Sequence, residues 1–364
     1  MGASRSHGLT QGSHTLPRLG VASSAGYAPR VSGELPEVLV KPPVLRPGCA
    51  LGVVAPASPV YNRGDLARGA VVLQQLGFSV VWGEHVRARH GYLAGDDQAR
   101  ADDFMRVWCD PRVDGVVCVR GGYGCARMLD RLDYAELATR PKPFVGFSDV
   151  TALHLALARR ARLVTFYGPM ISTLAQPRLS SYTRDAFVRA LTSTAAPGVV
   201  QPNPDDPWVE TITGGRVEGQ LAGGCLTLLA HAVGTPDQPD WRDKVVFLED
   251  VNAEPYEIDA NLTQLLRAGV FDGVAGIVVG EHADCGPRAY RPAFPSTLSL
   301  EDVLDELLRP LGVPTIYNLP LGHGAHLATL PLGVRARLDA DARQLDILES
   351  GVTEYPGRAP PGPG

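Results

Sequence analysis

Short apolar runs that alternate with helical segments between residues 49 and 158 predict an α/β protein, its N-terminal part a mostly parallel sheet flanked by helices on both faces. Two further observations support that class. The bend Gly146-Phe147-Ser148 joins a short apolar run to a helix that starts directly behind it, an arrangement that holds a serine out of a sheet with backbone N–H groups close by. A chain of 364 residues, 45% of them hydrophobic, can also bury a large core and form two domains.

Taken in order, Cys49-Ala50-Leu51-Gly52-Val53-Val54 reads as a buried strand that ends in the small-residue turn Ala55-Pro56-Ala57-Ser58. Residues 66–76 read as a helix closed by Gly77, and 78–82 as the next strand. A helix over 98–109 carries Phe104, Met105, Val107 and Trp108 as its apolar positions. A strand over 115–119, a short helix over 125–132, a strand over 144–146 and a helix over 150–158 complete the first domain, 47–172.

From Thr173 to Trp208 the chain collects Pro177, Pro197, Pro202, Pro204 and Pro207 around one helical segment, 183–191. This marks 173–209 as the connection between domains and as a rim of the active site. The second domain, 210–352, reads as a helix over 221–232, a strand over 245–248, a helix over 258–267 closed by Gly269 and a strand over 274–279. A helix follows over 299–308, capped by Ser299 with Asp302 three residues on, then strands over 315–318, 334–338 and 344–347. Residues 1–46, rich in Ser, Gly, Pro and His, and the Pro/Gly tail 353–364 are expected to be disordered. The leading segment has no apolar stretch suited to a secretory signal; Arg5, Arg18 and Arg30 before the first acidic residue, Glu34, give a transit peptide as its other reading.

With 34 Lys and Arg against 39 Asp and Glu, the net charge of −5 offers no field to nucleic acid or anionic lipid, and basic residues are not interleaved with aromatic ones. Neither a nucleic acid nor a membrane is expected as partner, since no apolar run reaches the roughly 18 residues of a span. The six cysteines, Cys49, Cys109, Cys118, Cys125, Cys225 and Cys285, show no CxxC spacing, which points to buried free thiols in a reducing compartment, the cytoplasm. No His-Glu-x-x-His occurs, and Glu281-His282-Ala283-Asp284-Cys285 reads as a polar loop, so no metal is expected.

A serine hydroxyl is a poor nucleophile at neutral pH, so Ser148 needs a base and a group to orient that base. His323 stands on the glycine-flanked turn Gly322-His323-Gly324 after a strand, where its ring can be presented freely; His326 lacks flanking glycines, and His154 lies one turn into the helix behind the serine, suited to packing or hydrogen bonding there. The acidic partner is Glu249 or Asp250, at the carboxyl end of the strand over 245–248. Successive strand residues face opposite sides, so only one of the two can meet the histidine. In Arg120-Gly121-Gly122-Tyr123-Gly124, which has neither dinucleotide spacing nor the Lys-Ser/Thr of a phosphate loop, paired glycines open backbone N–H groups to an anion. One of them and the N–H of Asp149 can form an oxyanion hole. Arg120 carries a fork suited to a substrate carboxylate. Trp208 offers either a stacking surface for a base or a hydrophobic anchor for the connection.

On these residues the chain resembles the LD-carboxypeptidases, or muramoyltetrapeptide carboxypeptidases, of peptidase family S66, which includes the microcin C immunity peptidases. The resemblance covers about residues 46–352 and rests on Ala55-Pro56-Ala57-Ser58, the loop 120–124, Gly146-Phe147-Ser148-Asp149-Val150-Thr151-Ala152, Glu218-Gly219 with Gly223-Gly224, Phe247-Leu248-Glu249-Asp250-Val251, and Gly322-His323 before Leu330-Pro331-Leu332-Gly333. It implies Ser148 as nucleophile, Glu249 rather than Asp250 as acid and His323 as base, with Gly121, Gly122 and the N–H of Asp149 as the oxyanion hole. It also implies an N-terminal α/β domain, a C-terminal β-rich α/β domain, a homodimer and no metal or organic cofactor. The implied reaction releases the terminal D-alanine of a murein tetrapeptide; the alternative is an immunity peptidase that cuts aminoacyl or peptidyl nucleotides, and a third reading is a peptide-binding homologue without turnover. Cys225 stands where the family usually has Asn, and Ala260 where it commonly has Arg.

Overall fold

The computed structural model describes residues 38–354. Its strands are β1 (Ala50–Val54), β2 (Ser79–Trp82), β3 (Gly115–Cys118), β4 (Phe144–Gly146), β5 (Thr165–Tyr167), β6 (Gly198–Val199), β7 (Glu210–Thr213), β8 (Arg216–Cys225), β9 (Lys244–Val251), β10 (Gly276–Ala283), β11 (Thr315–Leu319), β12 (Leu330–Leu332), β13 (Arg335–Asp339) and β14 (Gln344–Ile347). They form an N-terminal α/β domain with a six-stranded sheet, ordered β12-β5-β4-β3-β1-β2, and a C-terminal β-rich α/β domain with an eight-stranded sheet, ordered β6-β14-β13-β8-β9-β10-β11-β7.

In the first sheet β2, β1, β3, β4 and β5 run parallel, and only β12 is antiparallel. Val116 and Cys118 face a core that holds Phe104, Trp108 and Leu153, while Val117 and Val145 face another that holds Leu66, Leu73 and Phe187. Both faces are thus covered, which is why these strands read as unbroken apolar runs. Asp96 caps the helix Asp97–Cys109 by accepting from the N–H of Ala99, as a short side-chain acceptor does for an orphan donor in the first turn.

Period-two alternation along β9 positions the site. Val246 and Leu248 pack with Ile258, Leu262 and Leu265 of the helix Pro255–Arg267. Val245 and Phe247 pack into the core that also contains Phe147, Val150 and Tyr167 of the first domain. The next residue on that inner face is Glu249, so the strand period aims its carboxylate at the serine turn.

Several expectations are corrected. Residues 38–46 are packed rather than disordered: Val40 bridges Leu163, Leu45 donates its N–H to the carbonyl of Leu191, and Val44 and Leu45 are buried. Their prolines set an extended path along the domain, which composition alone reads as disorder. Residues 1–37 and 355–364, on which the disordered lead-in, its transit-peptide reading and the rest of the Pro/Gly tail are expected, lie outside the described residues. At the other end Thr353, expected as the first residue of the tail, bridges Pro43 and is ordered.

Residues 221–225 are the end of β8, not the start of a helix, which occupies only Leu226–His231. Gly223 and Gly224 are poor helix formers, and as strand residues they run parallel to Phe247 and Leu248 of β9. The segment over 173–209 is more than a connection. Phe187 and Leu191 of its helix Ser181–Thr192 are buried in the first domain, and β6 pairs with β14 of the second. Finally, β12 follows His323 in sequence yet joins the first sheet, Leu330 pairing with Tyr167. A three-residue strand gives too short a pattern to be read from sequence.

Candidate active site

Ser148 occupies the sharp turn between β4 and the helix Thr151–Ala156, with φ at +64°. A non-glycine residue in that left-handed region carries strain, which places its side chain at the surface of the turn instead of along a helix. Its N–H donates to the hydroxyl of Tyr167 at 3.1 Å. Two bonds moor the neighbouring glycine loop to this turn and to the turn that follows β1: the carboxylate of Asp149 accepts from the N–H of Cys125 at 2.9 Å, and Oγ of Ser58 accepts from the N–H of Tyr123 at 3.1 Å.

Gly121 then lies so close that a β-carbon there would stand 2.8 Å from Cβ and 3.0 Å from Oγ of Ser148. Glycine is required because any side chain would cover the hydroxyl. Among the described residues the N–H groups of Gly122 and Asp149 make no hydrogen bond, and both are available to an anion beside Ser148.

Glu249 is fully buried, and its Oε2 lies 2.8 Å from Nδ1 of His323. Its other oxygen, Oε1, accepts from the hydroxyl of Tyr167. With Nδ1 engaged, Nε2 is the nitrogen left for a further partner, and the ring packs 4.8 Å from that of Phe147, the residue before Ser148. Burial disfavours the imidazolium, but the charge of Glu249 and its hydrogen bond outweigh this, so the pKa of His323 lies above its ordinary 6.5. The glycine before it has a purpose other than free presentation of the ring: at φ +100°, a β-carbon on Gly322 would fall 2.0 Å from Oε2 of Glu249. That glycine makes room for the carboxylate.

The choice between adjacent acids is decided by the strand period. Asp250 faces the other side of β9, where it accepts from the N–H and hydroxyl of Thr227 at 2.9 and 2.7 Å. His154 is internal: Nδ1 meets Oγ1 of Thr165 at 2.8 Å, Nε2 meets the carbonyl of Gly146 at 2.9 Å, and burial depresses its pKa to about 4, so it stays neutral. His326 pairs with Asp205 at 2.9 Å.

The guanidinium of Arg120 stacks on Tyr61 at 4.3 Å and donates to the carbonyl of Pro59 at 3.3 Å. Trp208 is half exposed, packs its ring edge-on against Tyr317, and lines a depression of about 430 Å³ with Pro202, Pro207 and Arg343. None of Ser148, Glu249 and His323 lines that depression. Of the departures from the family pattern, Cys225 is buried with its thiol 3.8 Å from Oδ1 of Asp250, and Ala260 is exposed on its helix. All six cysteines are free thiols, four of them buried.

Sequence reasoning missed Tyr167. The available signal was a polar-tipped aromatic at the end of the apolar run Leu163-Val164-Thr165-Phe166-Tyr167, just before Gly168. A buried tyrosine seeks a hydrogen-bond partner, and a strand end is where this fold gathers its polar groups.

A strained serine turn backed by open N–H groups, sharing one wall with a histidine held by a buried glutamate, defines the class as a serine hydrolase. The chain belongs to the LD-carboxypeptidase family: residues 51–168 match its N-terminal domain and residues 218–338 its C-terminal domain. A Streptomyces coelicolor protein carrying a carboxypeptidase designation is 42% identical, over 85% of this chain and 96% of its own. The solved muramoyltetrapeptide carboxypeptidase from Oxalobacter formigenes is similar at 34% identity and a TM-score of 0.71, over 82% of this chain and 98% of its own. The microcin C7 self immunity protein MccF, solved in complex with aspartyl sulfamoyl adenosine, is similar at 25% identity and a TM-score of 0.77, over 86% of this chain and 100% of its own.

Proposed function

We propose that this protein is a serine carboxypeptidase that hydrolyses the L,D-peptide bond before the terminal D-alanine of murein tetrapeptides. The observation that carries the reading is the bond between Nδ1 of His323 and Glu249 in the wall that Phe147 shares with Ser148. Nε2 of His323 takes the proton of Ser148 as Oγ bonds to the amide carbon, and Glu249 fixes the tautomer and offsets the imidazolium charge. The N–H groups of Asp149 and of Gly122, with Gly121 beside it, receive the oxyanion. The carbon–nitrogen bond breaks as His323 returns the proton to the departing amine. Water then attacks the acyl-serine, giving one proton through His323 back to Oγ, so that acid and amine leave and the enzyme is restored. Arg120 would meet an anionic substrate group by leaving Tyr61.

Release of D-alanine from purified murein tetrapeptide, followed by mass spectrometry for wild type and Ser148→Ala, tests the proposal. Release by wild type alone is expected; equal traces would show a binder without turnover. A second reading, cleavage of an aminoacyl sulfamoyl nucleotide, is favoured by the half-exposed ring of Trp208 and by the likeness to MccF. Turnover of such a nucleotide with none of the tetrapeptide would replace the first reading by the second.

The raised pKa of His323 gives a pH expectation. The imidazole must be neutral to accept the serine proton, so activity is lost as pH falls through its pKa. The acid limb of kcat/KM should therefore have its midpoint above 6.5, read from a pH–rate profile. A midpoint below 6.5 would mean that Glu249 does not hold the base.

A further inference from the structure

Tyr167 has no part in the bond making above, yet its hydroxyl hydrogen-bonds both the backbone of Ser148 and the buried acid. It accepts from the N–H of Ser148 at 3.1 Å and donates to Oε1 of Glu249, across the boundary between the two domains. We infer that Tyr167 is a positioning residue of the reaction, fixing the serine turn through one bond and dividing the charge of Glu249 through the other. The inference rests on the serine-hydrolase reading of the site and extends it.

Three features support it. The side chain is fully buried, and burial and the charge of Glu249 push the phenol well above its ordinary pKa, so it remains a donor. Its acceptance of the Ser148 N–H removes that group from the oxyanion's reach and leaves Asp149 and the glycine loop as donors. Its place on β5 is fixed on both sides, by β4 and by β12, whose pairing of Leu330 with Tyr167 ties the segment after His323 to the same strand. The hydroxyl therefore sets the distance between serine and acid instead of following either.

Tyr167→Phe keeps the ring and leaves Oε1 of Glu249 and the N–H of Ser148 without partners. Glu249 then directs its whole charge to His323. The other titratable groups that interact with Glu249 are Cys225 on β8, His282 on β10 and Cys285 just beyond, and Asp250 on β9 acts on His323 itself; the substitution replaces none of them. The His323 midpoint, followed by NMR of the labelled imidazole and assigned with His323→Gln, should move up by about half a pH unit or more in Tyr167→Phe. The rate of inactivation by a fluorophosphonate, a reagent for activated serines whatever the substrate, should fall by about 10- to 100-fold, the factor for losing one hydrogen bond to a charged group.

A purely structural tyrosine would change the melting temperature but not the midpoint. Coincident midpoints with unchanged inactivation would overturn the inference. If Tyr167→Phe does not fold, 3,5-difluorotyrosine at 167, a stronger donor, should move the midpoint down, and no movement there would overturn it equally. Failure of the wild type to react with the fluorophosphonate would instead count against the serine reading, while the midpoint comparison would still decide the role of Tyr167.

Discussion

On the proposed mechanism Ser148→Ala should lower kcat/KM by about 10⁶-fold, because removing the nucleophile of a serine–histidine pair that acts as a unit costs nearly as much as removing the whole set. The residue left by the substitution still sits at φ +64°, so the strain of the turn persists in the inactive protein. Ser148→Gly should be equally inactive but more stable than Ser148→Ala by about 1 kcal/mol, since only glycine adopts this region without a β-carbon clash. Urea unfolding of the two variants, with activity measured on the same samples, separates the chemical effect from the conformational one. Equal stability would show that the turn stores no strain at this residue.

Glu249→Gln should lower kcat/KM by about 10⁴-fold with little change in shape. The amide is of the same size, but it can present a donor to Nδ1 of His323 and so hold the ring in the tautomer that cannot accept the serine proton. It also removes the charge that raises the pKa of His323, so the acid limb should move down as the rate falls. A pH–rate profile reads both effects. A variant that kept the wild-type limb while losing rate would point to displaced geometry instead of lost charge.

Much of the first sheet was legible because its strands are buried on both faces and bounded by amphipathic helices, so that periodicity changes sharply at each boundary. Ser148 and His323 were visible through their glycines, although the reason for Gly322 was not: it yields space to a carboxylate 73 positions earlier, and no local pattern records a contact at that separation. Strand period leaves Glu249 and Asp250 both open; the family resemblance names Glu249, and the physical reason is which face of β9 meets the first domain. Tyr167, β12 and the packing of residues 38–46 were missed for a common cause. Each depends on pairing between distant segments, as when Leu330 meets Tyr167 or Pro43 meets Thr353. The tract Leu221-Ala222-Gly223-Gly224-Cys225 failed differently, since its apolar run suits helix and strand alike and tertiary context decides.

The return of β12 to the outer edge of the first sheet means that neither half of this molecule is a separable part. A chain cut after Val209 would yield an amino fragment with the polar backbone of β5 bare along one side, and a carboxyl fragment trailing the apolar tripeptide that should have covered it. The two pieces would be sticky apart and would need to be made together. Melting should accordingly proceed as one cooperative event, with the stitch at Leu330–Leu332 letting neither half loosen ahead of the other.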